Sequence, residues 1–129
     1  MIAPDDQILR ILSIAHEHST IRGGRGLSLR DLIDETNYRA LRTCISVCQL
    51  AAVLREKPEI VEDWLAYSGD KRTSHGYSFG ASSAGGWTVD GPNGYCEQFA
   101  TPCDGCADFV LRELDFWVAI EDSRTRRST

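Results

Sequence analysis

The sequence predicts an α+β domain: an N-terminal helical layer, a three-stranded antiparallel β-meander and a closing C-terminal helix. Three observations lead there. Apolar residues recur at helical spacing from Pro4 to Leu65. Between His75 and Asp90, aromatic and β-branched residues alternate with polar ones in two glycine-bounded runs. Thr101-Pro102 then opens a second helical pattern that reaches Ile120. A sheet face and a helix face of this kind bury one another.

Pro4 at a first-turn position, Asp5 and Asp6, and Ile8, Ile11, Leu12 and Ala15 on one face predict a first helix from Pro4 to His18. The glycine-rich segment Ser19 to Gly26 follows as a loop carrying Arg22 and Arg25. Ser28 and Asp31 have the spacing of a capping box, which predicts a short helix from Leu29 to Glu35. Neither glycine nor proline interrupts Asn37 to Glu56, so one central helix is expected there. Leu41, Ile45, Cys48 and Ala52 mark one face and Cys44, Val47, Ala51 and Leu54 an adjacent one. So wide an apolar arc calls for neighbours on more than one side, within the chain or across a homodimer.

Pro58 starts a shorter helix with Ile60, Val61, Trp64 and Leu65 pointing inward, and Ser68-Gly69-Asp70 ends it. Strands are expected at His75 to Gly80 and Gly86 to Asp90, with Gly91-Pro92-Asn93-Gly94 turning the chain into a third from Tyr95 to Phe99. On the last helix Cys103, Cys106, Val110, Leu114, Trp117 and Val118 share the buried stripe. Asp122 to Thr129 contains no apolar residue, so the domain is placed at 1–121 and 122–129 is read as a polar, disordered tail.

A length of 129 residues fits one domain with one core. The net charge of −5 opposes sequence-independent nucleic-acid binding, which draws its affinity from neutralising phosphates, and makes a basic protein the easier partner. No apolar run reaches the roughly 18 residues of a membrane span, and the N-terminus lacks the basic-then-apolar pattern of a signal peptide. A cytoplasmic location is expected. The odd count of 5 cysteines then favours reduced thiols over a disulfide framework.

Several groups bear on chemistry. Cys103-Asp104-Gly105-Cys106 is a C-x-x-C at a helix N-terminus, where amides and the helix dipole favour a thiolate. Two small side chains on a buried stripe explain the same spacing, and this packing reading is preferred because no βαβ context precedes the motif. Cys96, Cys103 and Cys106 with His75 form an alternative zinc set of suitable ligand types, although only one pair has knuckle spacing. Arg22 and Arg25 before the capped helix, and Lys71, Arg72 and His75 before the first strand, are candidate binding residues for an anionic group. The helix at Leu29, the Thr36-Asn37 break, a second helix and a hairpin give a loose winged-helix pattern.

Acids at Glu59, Glu62, Asp63, Asp108, Glu113, Asp115 and Glu121 are expected on helix backs, as solvation or as a docking face for a basic protein. Trp64, Trp87 and Trp117 fit inward periodicities, with interface anchoring as the alternative. No catalytic residue and no cofactor is assigned. The function expected from size, acidity and the lack of a strong chemical motif is a small protein-binding module, acting by occlusion as an inhibitor or toxin-neutralising (immunity-type) protein. A zinc or small-ligand domain and a winged-helix-like nucleic-acid binder are the alternatives.

Overall fold

The computed structural model describes residues 4–20, 23–70 and 76–127, leaving aside the side chains of 70 and 125–127. Helices α1 (Asp5–Leu12), α2 (Ile14–His18), α3 (Leu29–Glu35), α4 (Tyr38–Leu41), α5 (Val47–Glu56) and α6 (Glu59–Asp70) form the N-terminal layer. Strands β1 (Ser78–Ala81), β2 (Trp87–Asp90) and β3 (Cys96–Phe99) follow, and α7 (Pro102–Arg127) closes the chain. The strands form an antiparallel sheet in the order β1-β2-β3. This is the α+β meander that the sequence predicts. Among the described residues no helix is long and apolar enough to cross a membrane.

The register sets the two faces of the sheet. Phe79 stands opposite Val89, and Trp87 opposite both Ala81 and Phe99. Directly opposed residues project to the same side, so these apolar side chains share the face toward α7. Gly105 brings the helix close to that face: a Cβ there would lie 2.9 Å from the edge of Phe79 and 3.5 Å from Trp87 Cβ. One turn on, Phe109 stacks on Phe79 with ring centroids 5.8 Å apart. The helix continues along α5, where Leu50, Ala51, Val53 and Leu54 are buried. Sheet and helical layer thus meet on α7, and the core runs along it.

Three helix boundaries differ from the sequence expectation. The first helix does not run unbroken to His18 but turns at Ser13. There Ser13 Oγ donates to the Leu9 carbonyl at 2.8 Å, a back-bond that bends helices, and the Trp64 indole N–H donates to the Leu12 carbonyl at 2.8 Å. The central helix is also divided: α4 gives way to a 3-10 turn (Arg42–Cys44), Ile45 and Ser46 are extended, and α5 starts anew. Ser46 closes a capping box with Gln49, its Oγ accepting from the Gln49 N–H at 3.2 Å while its own N–H donates to Oε1 at 3.0 Å. The break rotates the faces, leaving Cys48 and Ala52 exposed.

The third boundary lies at the C-terminus, where α7 runs to Arg127 rather than ending before Asp122. Ion pairs take the place of apolar contacts there. Arg39 reaches Asp122 at 2.6 Å and Glu121 at 3.1 Å, and Arg30 reaches Glu121 at 2.7 Å, tying the end of α7 to α3 and α4.

Candidate functional site

Of the candidate binding residues, Arg22, Lys71, Arg72 and His75 lie outside the described residues. Arg25 is described, and it is already engaged: its guanidinium contacts Glu17 at 2.7 Å and Glu35 at 2.9 Å. The hydrogen bond to Glu35, and then that to Glu17, raise its pKa above the ordinary arginine value. These contacts pin the loop to α2 and α3. The helix that follows the Thr36-Asn37 break is the single turn α4, and Tyr38 within it is fully buried with its hydroxyl donating to Asp115 at 2.7 Å.

The cysteines do not converge. Cys96 lies opposite Asp90 on the face of the sheet turned away from α7. Its thiol bonds the Asp90 carboxylate, which raises its pKa. Cys103 and Cys106 lie on α7, on the other side of the sheet. Cys106 is fully buried, and burial first and Cys103 second push its thiol pKa up. Cys103 is half-buried. Among the described residues no group of three or more His, Cys, Asp or Glu side chains is placed to hold a metal ion. All five cysteines are free thiols.

Two acids expected on helix backs are instead inside. Glu113 is 0% exposed. Its Oε2 accepts from the Tyr67 hydroxyl at 2.8 Å and the Trp117 indole N–H at 3.1 Å, and its Oε1 accepts from the Tyr77 backbone N–H at 2.8 Å. One carboxylate therefore joins α6, α7 and the entry to β1. Asp108 is 8% exposed, with Arg112 Nε at 3.0 Å and the Tyr95 hydroxyl at 2.8 Å, while the guanidinium lies 3.9 Å over the Tyr95 ring. The four-residue spacings Asp108–Arg112 and Glu113–Trp117 are visible in the sequence, and such pairs face each other on a helix. The tyrosines that complete each group come from distant segments.

Burial first, and then the adjoining carboxylate, raise the pKa of Tyr38 and of Tyr67 well above the ordinary phenol value. Tyr95 is pushed up to about 12, by burial and by its hydrogen bond to Asp108. The unfolded chain releases these protons near pH 10, while the folded chain retains them. Stability from this source is therefore fully present below about pH 10 and falls as pH rises toward the folded-state values. Urea unfolding followed from about pH 8 to about pH 11 should show that decline, and Y38F/Y67F should flatten it. An equal decline in the double variant would remove these tyrosines as the cause.

Trp117 leads from the Glu113 cluster to the surface. Its indole, held by the hydrogen bond to Glu113, lines a half-open groove between α3 and the C-terminal part of α7. Leu29, Ile33, Trp117 and Ile120 supply the apolar lining, Arg30, Glu121 and Arg124 the polar part, and the volume is about 290 Å³. The Arg30–Glu121 pair at 2.7 Å bridges the two helices. Trp64, by contrast, is fully buried, and Trp87 packs on Phe79 beneath α7. Comparison with known protein families, with curated proteins and with solved structures finds no match.

Proposed function

We propose that this chain is a cytoplasmic protein-binding module that acts by occlusion, as an inhibitor or a toxin-neutralising (immunity-type) protein does. The groove between α3 and α7 carries the proposal. At about 290 Å³ it sits at the lower limit of small-molecule sites, which span roughly 300–1,000 Å³, and it suits one or two apolar side chains of a partner. A tryptophan fixed by a hydrogen bond to a buried carboxylate is a rigid anchor, the kind of residue that dominates binding energy at interfaces.

Charge gives the partner its sign. Arg25, Arg30, Arg39, Arg42, Arg55 and Arg112 each lie within 4.0 Å of a carboxylate of this chain. Glu56, Glu59 and Glu62, at the corner between α5 and α6, are exposed and have no ion-pair partner among the described residues. A basic protein surface complements that excess and would be steered by it on encounter, gaining in association rate more than in affinity; the excess lies beside the start of α7, where Arg55 pairs with Asp104, and does not line the groove.

The test is gentle purification of the full chain from cells that make it, followed by native mass spectrometry. A stoichiometric protein partner is expected. L29E/I120E, which places two charges in the apolar lining without touching the Glu113 cluster, should abolish its retention, measured at a temperature where circular dichroism shows the variant folded because Leu29 also packs against the core. A partner still held by the double variant would refute the groove as the binding site. Retention of a nucleic acid or a small molecule in place of a protein would refute the proposal itself, and a homodimer dissolved by the same substitutions would reassign the groove to self-association.

A further inference from the structure

We propose that the outer edge of β3 receives an extended, basic segment of a protein partner as an added strand. The pairing directions of the sheet determine which backbone groups are open to it. The Phe79 N–H donates to Ser68 Oγ on α6 at 2.8 Å, so it points away from β2 and the Phe79–Val89 pair exchanges no backbone bonds. Bonding alternates along an antiparallel ladder, so Val89 turns its N–H and C=O toward Glu97 instead. The Gly91 N–H donates to the Tyr95 carbonyl at 3.0 Å in the same phase. Cys96 and Gln98 therefore direct their main-chain groups outward, where no described residue bonds them.

The two edges of the sheet differ. At the entry to β1 and within it, the outward N–H groups of Tyr77 and Phe79 are closed by Glu113 and Ser68. On β3, Cys96, Glu97 and Gln98 are all exposed. An open row of main-chain donors and acceptors is the template that strand addition uses.

Charge selects the occupant. Glu97 stands opposite Val89 on the α7 side, exposed and without an ion-pair partner among the described residues. Arg112, over the Tyr95 ring at 3.9 Å just before the strand, is paired with Asp108, and Arg55 is paired with Asp104 in the turn of α7 that follows it. Glu56, next to Arg55, is exposed as well. A strand with lysine or arginine across from Glu97 forms a favourable cross-strand pair. A second copy of this chain does not: pairing about Glu97 sets two carboxylates face to face, and pairing about Gln98 sets each against an aromatic ring. The inference takes from the proposed function only that the partner is a basic protein, since β3 meets α7 at Gly105 and the groove lies at the helix's other end.

The probe is a short synthetic peptide of alternating lysine and valine, added to the isotopically labelled full chain, with amide exchange read residue by residue by NMR. At about ten times its Kd the peptide should slow exchange of the Cys96 and Gln98 amides about tenfold, because only the free fraction exposes them. Glu97 and Phe99, already bonded to β2, should change little. Gln98→Pro removes one outward N–H at a position where an edge strand accommodates proline, and it should abolish the protection. Glu97→Lys should weaken the lysine peptide by about threefold to tenfold and strengthen binding of its glutamate counterpart by a like factor. L29E/I120E should bind the peptide as the parent does, so failure of the groove and failure of the edge are read separately. No protection of Cys96 and Gln98 up to millimolar peptide, or unaltered binding by Glu97→Lys, would overturn the proposal. So would protection that rises with protein concentration in the absence of peptide, which is the mark of self-pairing.

Discussion

Glu113→Ala is expected to destabilise the fold by about 3–5 kcal/mol, from three donors that lose their acceptor at about 1–3 kcal/mol each, less what entering water restores. Its carboxylate is fully buried and accepts from the Tyr67 hydroxyl, the Tyr77 N–H and the Trp117 indole. Alanine leaves these donors without that acceptor and opens a polar void between α6 and α7. Each buried unsatisfied donor costs about 1–3 kcal/mol, and water entering the void offsets part of the sum. Against a typical total of about 5–15 kcal/mol, the loss is a large fraction of the fold's stability.

Glu113→Gln separates shape from charge. It preserves volume and one carbonyl oxygen but turns an NH₂ group toward a donor, so an intermediate loss of about 1.5–3 kcal/mol is expected. Urea unfolding monitored by tryptophan fluorescence measures both variants, and the Trp117 environment supplies a local signal. An alanine variant within about 1 kcal/mol of the parent would show that Glu113 does not organise the junction. Because the same carboxylate orients Trp117, Glu113→Gln should also weaken the partner binding proposed for the groove, whereas L29E/I120E leaves the Glu113 hydrogen bonds in place.

How far the sequence reveals these groups depends on how local each interaction is. The meander was legible because alternation at Tyr77–Phe79 and Trp87–Val89, with glycines on either side, is a property of the strands themselves. The cap at Ser28, whose Oγ accepts from the Asp31 N–H, is legible for the same reason, and the capping box of Ser46 with Gln49 has the same local spacing. An apolar pattern that continues through it without glycine or proline obscures it. The Glu113 cluster was not legible in full. The spacing to Trp117 was present, but Tyr67 and Tyr77 arrive from α6 and the entry to β1, and charged residues on an amphipathic helix ordinarily face water. Likewise the groove depends on α3 meeting the far end of α7, an approach secured by Arg30, Arg39 and Glu121 across a long sequence separation. The lack of apolar residues after Glu121 predicts only a polar, disordered tail there.

Trp64→Ala is the second large effect, with an expected loss of about 3–5 kcal/mol. Trp64 is fully buried, packs edge-on against Phe109 at 6.0 Å and Tyr67 at 5.3 Å, and donates its indole N–H to the Leu12 carbonyl. Two separate losses follow from its removal. A large cavity opens where α6 meets α7, and the carbonyl at the turn between α1 and α2 loses its donor. Trp64→Phe divides these contributions, since it retains most of the ring contact and deletes the hydrogen bond, and it should cost about 1–3 kcal/mol. Hydrogen exchange gives the local readout: in the phenylalanine variant, amides around Ser13 should exchange faster than the loss of global stability accounts for, because the α1–α2 turn is anchored through Leu12. Uniform acceleration across α1, α5 and α7 would instead mean that Trp64 acts by volume alone and that the bend at Ser13 is maintained by the Ser13–Leu9 bond. An alanine variant losing less than about 1.5 kcal/mol would refute the placement of this indole at the centre of the core.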